Sequence, residues 1–178
     1  MTEKKILIVV DMQNDFINGA LGTAEAKGIL EPAQKRIEAC AKEGYTLFAT
    51  LDTHFDNYMD TPEGKKLPVP HCIKGTDGWA IHPEINAVLG NCTLVEKTTF
   101  GSTDLPRLIA REAEGADKLT IELIGLCTDI CVVSNALMLK AHFPDADIAV
   151  NAACCAGVTP AKHLAALETM RSCQIDVI

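Results

Sequence analysis

The chain has 178 residues, a formal net charge of -8 and eight cysteines. That length is enough for one domain with a sizeable core, and no linker, low-complexity tract or repeat divides it. The acidic balance speaks against nucleic acid or an anionic membrane as partner, because both require basic patches.

The N-terminal run "KILIVV" reads as a strand and is broken by Asp11, too early for a signal peptide or a membrane helix. The expected location is therefore the cytoplasm, where thiols stay reduced. A helix over "EPAQKRIEACAKEG" and a strand over "YTLFATLD" follow. After a long irregular stretch come the strand "CTLVEK" and the helix "TDLPRLIAREAEG", with Pro106 in its first turn. Next are the strand "KLTIELIGL", the helix "TDICVVSNALMLKAHF" and the strand "DIAVNA". The helix "TPAKHLAALETMRSC" has Thr159 as N-cap and Pro160 at its first position, and a short strand "IDVI" ends the chain. Near-continuous apolar strands alternating with helices predict a three-layer α/β/α fold. Its open, mostly parallel sheet has about six strands and is Rossmann-like, a single domain over residues 1–178.

Residues 52–91 break this rhythm. They contain no long helical pattern, four prolines (Pro62, Pro68, Pro70, Pro83) and three of the five histidines. A long ordered loop in a compact domain is usually functional, and ligands of open α/β sheets bind beyond the carboxyl ends of the strands. Four strands end on reactive groups: Asp11, Asp52, Lys97, and the pair Cys127 and Cys131. An acid, a lysine and a thiol converging on one site are the set a cysteine hydrolase needs. Each also has a plainer reading: a turn cap, a solvated cation, a core thiol. Cys40, Cys92, Cys154, Cys155 and Cys173 read as small buried hydrophobes, and Cys72 follows a histidine in the loop. With Thr128 as N-cap, Cys131 falls in the first helical turn, where helix start and cation both lower a thiol pKa. Cys127 precedes the helix, and its N–H and that of Cys131 could line an anion pocket. A disulfide or a two-cysteine metal site are the minority alternatives for this pair.

The stretches "ILIVVDMQNDFINGAL", "LDTHFDNY", "LPVPHCIKGTDGW", "VEKTTFGSTDL", "GLCTDICV" and "CCAGVTP" together resemble the isochorismatase-like cysteine hydrolases. Within that family they are most similar to the nicotinamidases. The resemblance spans nearly the whole chain, and "DMQNDF" followed by "TDICV" is its specific part. It implies a catalytic triad of Asp11, Lys97 and Cys131, and a cis peptide between Leu126 and Cys127. It also implies an oxyanion hole from the N–H groups of Cys127 and Cys131, and amide hydrolysis through a thioester. A divalent metal, zinc before iron or manganese, is implied on Asp52, His54 and His71, with Glu63 as a further candidate from the loop. Asp52 and His54 are two apart, which puts both on one side of an extended segment; the plainer reading of the two histidines is backbone-bonded loop residues. The stretch "KLPVPH" departs from the nicotinamidase pattern, with Leu67 and Pro68 where an aromatic usually stacks on the substrate ring. Phe16 matches the other pocket aromatic, and Phe100 or Trp79 is the candidate substitute. The implied partner is a small amide, with relatives often dimers or higher oligomers. Competing readings are a metal-free hydrolase of a carbamoyl compound or ureidoacrylate, and a non-catalytic binding or redox protein on the same fold.

Overall fold

Strand β1 (Glu3–Val10) is apolar on both faces, as a strand between two helical layers must be. In the computed structural model, which describes residues 2–178, Ile6, Ile8 and Val10 join one buried cluster and Leu7 and Val9 the other. The first cluster is closed by α6 (Leu105–Glu112), α7 (Val133–His142) and α8 (Pro160–Ser172). The second lies under α1 (Asn14–Ile17), α2 (Ala24–Gly28), α3 (Leu30–Lys42) and α5 (Pro83–Leu89). The short α4 (Pro62–Lys66) belongs to the loop region.

The remaining strands are β2 (Thr46–Asp52), β3 (Thr93–Lys97), β4 (Lys118–Leu126), β5 (Asp147–Ala156) and β6 (Asp176–Val177). All pair in parallel, in the order β3-β2-β1-β4-β5-β6. The mostly parallel sheet expected from sequence is wholly parallel, with helices on both faces. Strand order reverses between β1 and β4, which opens a crevice at their carboxyl ends. The register levels those ends: Val10 pairs with both Thr50 and Gly125, and Asp52 with Lys97. Residues 52–91 carry only short helices, at Tyr58–Asp60, Pro62–Lys66 and Pro83–Leu89. No helix of the described residues is long and apolar enough to cross a membrane.

Two details hold the switch point. Gly125 has φ +120°, and a Cβ there would stand 2.1 Å from the Val10 carbonyl oxygen. Only glycine allows β1 and β4 this approach. One charge lies inside β4: Glu122 is buried and accepts from Arg36 Nε at 2.8 Å and Nη2 at 2.5 Å, with Asn151 as a third donor. Buried carboxylates are tolerated only when paired in this way.

Gly125→Ala is expected to lose more than about 3 kcal/mol of stability, because positive φ and backbone overlap act together. Gly44→Ala, at φ +80° with open space around it, should lose about 1–2 kcal/mol. Urea unfolding of both variants checks the difference.

Candidate active site

The ends of β1 and β3 bring a carboxylate and an ammonium together below the surface. Lys97 Nζ lies 2.6 Å from Asp11 Oδ2, and both side chains are at most 1% exposed. The same ammonium donates to Cys131 Sγ at 3.4 Å and to Asp52 Oδ1 at 3.3 Å. Asp11 turns into the site through a left-handed backbone, φ +46°. Its N–H reaches the Thr50 carbonyl oxygen and hydroxyl at 3.1 and 3.2 Å, and the Thr50 hydroxyl donates to Asp11 Oδ1 at 2.6 Å. Oδ2 is close to Lys97 but poorly aligned, and has no hydrogen-bond partner.

Burial pushes the Asp11 carboxyl up, against the pull of Lys97, and Asp52 pushes the same way. Burial alone would lower the Lys97 ammonium, yet Asp11, Cys131 and Asp52 around it hold it well above its usual range. Lys97 is therefore a fixed cation. Sequence reasoning expected a lowered thiol pKa at Cys131. Burial, followed by the Asp11 charge, instead pushes this thiol well up, and Lys97 offsets only part of that. Thiol, carboxyl and ammonium thus meet in one buried cluster.

Cys131 sits in a π turn, Thr128–Val132, ahead of α7. The expected Thr128 cap is not formed, because the N–H groups of Ile130 and Val132 both take the Cys127 carbonyl. Thr128 Oγ1 instead lies 2.7 Å from His163 Nδ1, and Asp129 Oδ1 accepts from the Val158 N–H at 2.9 Å. The β5–α8 connection, through Val158, and α8, through His163, thus brace the thiol-bearing turn. The Leu126–Cys127 peptide is cis.

Beside the thiol, Asp52, His54 and His71 are buried with their ligand atoms within 4.8 Å of one another. Asp52 Oδ2 is 2.9 Å from His54 Nε2 and 3.5 Å from His71 Nε2, and Glu63 Oε1 is 3.7 Å from both rings. His71 Nδ1 lies 2.8 Å from the Val69 carbonyl oxygen. A carbonyl accepts, so that nitrogen carries the proton, and in the neutral ring the Nε2 lone pair points at the carboxylates. Two inward imidazole nitrogens facing carboxylate oxygens fit a divalent cation such as zinc, iron or manganese. Gln13 locks Asp52 in place: its Oε1 accepts from the Asp52 N–H at 2.7 Å, and its Nε2 donates to the Asp52 carbonyl at 2.9 Å.

A cavity of about 670 Å³ opens over Cys131, Cys127 and this acidic-imidazole group, with Phe16 and Phe100 on its wall. Trp79 does not line it. Its Nε1 donates to Thr53 Oγ1 at 3.0 Å, and its ring packs on the β1–α3 side of the sheet. Phe55 and Tyr58 are the further aromatics on the wall, with Tyr58 edge-on to both His54 and His71. Thr50, Gln13 and His163 also bear on the site without standing out in the sequence. The available signals were a hydroxyl within the apolar run "TLFATLD" and an amide two residues past Asp11.

The isochorismatase domain model matches residues 5–178. The nicotinamidase/pyrazinamidase of Mycobacterium tuberculosis is 26% identical over 186 residues, covering 98% of this chain and 98% of that one. A pyrazinamidase of Pyrococcus horikoshii, solved in complex with zinc, superposes with a TM-score of 0.81 at 26% identity, covering 98% of each chain. The N-carbamoylsarcosine amidase of Thermoplasma acidophilum reaches 0.76 at 30% identity, over 98% of this chain and 95% of that one. With the family model running from the first strand to the last residue, over the sheet and every group of the crevice, the chain belongs to the isochorismatase domain family.

Proposed function

We propose that the protein is a cysteine amidohydrolase of small carboxamides, with nicotinamide as the first substrate. The observation that carries this is a single buried ammonium within 3.4 Å of an acid, a thiol and a second carboxylate. The nicotinamidase relatives support the substrate class, and the pocket aromatics support a planar ring.

In the first half-reaction the Cys131 thiol transfers its proton to Asp11 as Sγ attacks the amide carbon. The raised Asp11 carboxyl suits a base that must later act as acid. Lys97 stays charged and balances negative charge as it moves from oxygen to sulfur and on to the substrate. The N–H groups of Cys127 and Cys131 are assigned to the carbonyl oxygen as it becomes negative. Asp11 returns the proton to the departing nitrogen, the C–N bond breaks, and ammonia leaves a thioester on Cys131. Water, deprotonated by Asp11, attacks that carbon, and the carboxylic acid and the thiol are released. Asp52, His54 and His71, with Glu63 beside them, would hold the divalent metal. When bound, that metal supplies a Lewis-acid site for a lone pair on the substrate ring. A carbamoyl substrate is the second reading, favoured by the likeness to the N-carbamoylsarcosine amidase.

Cys131→Ser is expected to cut kcat by about a thousandfold or more, since loss of a nucleophile removes the whole covalent route. Cys127→Ala should keep at least about a tenth of kcat, because its assigned role is through the backbone; the reverse ranking in steady-state kinetics overturns the assignment.

His54→Ala should lower bound metal, read by elemental analysis, and raise the nicotinamide KM, while iodoacetamide still alkylates Cys131. Metal retained at the wild-type level would remove His54 from the ligand set.

Nicotinamide should exceed benzamide in kcat/KM by about a hundredfold or more on metal-analysed protein, because a site built for a polar contact rejects the analogue lacking it. Equal values would leave a cysteine amidase without pyridine selectivity.

A further inference from the structure

We propose that this site takes amides larger than a single bare ring, namely aromatic carboxamides whose apolar substituent lies across Phe55, Leu67 and Phe100. This inference rests on the amidase reading above. The chemical end of the cavity is compact: Cys131 and Asp52 both touch the Lys97 ammonium, at 3.4 and 3.3 Å. The whole cavity is about 670 Å³, within the range that encloses drug-sized ligands.

The exposed part of the wall carries Phe55, Leu67 and Phe100 together with the polar Asn57, Lys66, Thr98 and Thr99. Phe55, Leu67 and Phe100 are 51%, 38% and 47% exposed. Single exposed apolar side chains are ordinary. Three on the wall of one cavity form a patch that a ligand would take from water. Buried reactive groups and three exposed apolar side chains on one wall therefore suit one molecule with two parts, a carboxamide ring and a greasy arm. Lys66 is the one lysine or arginine on the wall, so a carboxylate-bearing arm is the chemical control.

The test measures kcat/KM on metal-analysed protein for pyridine-3-carboxamide and three sets of derivatives, carrying butyl, phenyl or carboxyphenyl at each free ring position. The expected result is a phenyl or butyl derivative about tenfold better than the parent, chiefly through KM. Phe55→Ala and Phe100→Ala should each lower that derivative-to-parent ratio at least threefold. Both side chains are half exposed, and the ratio cancels any loss of active protein. Turnover of the parent with every derivative below a tenth of it overturns the inference and leaves the amidase reading intact. Preference for the carboxyphenyl arm, lost in Lys66→Ala, also overturns it, because the wall would then read charge. No turnover of any carboxamide overturns the amidase reading and this inference with it.

Discussion

A buried ammonium organises this molecule. The Lys97 side chain is 1% exposed, and removing such a charge from water costs several kcal/mol unless partners replace the solvent. Asp11 and Asp52 are those partners, and each stands at the end of a different strand from Lys97. The order of strands in the sheet is therefore also an electrostatic arrangement. Displacing β1 or β2 by one residue would turn its carboxylate to the opposite face and leave the lysine unpaired in the core.

The supporting groups follow from that demand. Thr50 and Gln13 engage the two carboxylate-bearing residues through hydrogen bonds of 2.6–2.9 Å. Both are buried and polar, and both face groups that can satisfy them, as buried polar atoms must be. Gly125 lets β4 close on β1 at the level where the thiol-bearing turn begins. Asp11 is left with one oxygen bonded to the Thr50 hydroxyl and one facing Lys97.

The alternation of strands and helices was legible because apolar runs here have the continuity that two-sided burial requires. Asp11, Asp52, Lys97 and Cys131 were legible because each ends an apolar strand or opens the helix after one, where a polar residue stands out. Thr50 and Gln13 were not, since nothing along the chain marks which hydroxyl or amide will meet a carboxylate from another strand. Trp79 shows the same limit in reverse. Trp79 was a candidate to replace the missing ring platform, yet its N–H is drawn to Thr53 and its ring packs against the cluster under α1, α2, α3 and α5, off the cavity wall.

By itself the sequence determined the layered parallel fold, the strand-end positions of the reactive groups and the residue types a metal would need. These depend on local periodicity and on where an apolar run stops. Tertiary structure alone decided that burial pushes the Cys131 thiol up, that its turn is a π turn braced by His163, and that Phe55 and Tyr58 share the wall with Phe16 and Phe100. The thiol expected to be acidic from a nearby cation and a helix start is instead enclosed with a carboxylate. The depth of burial and the sum of neighbouring charges depend on segments far apart in the chain, and only their packing sets which of the opposing effects prevails.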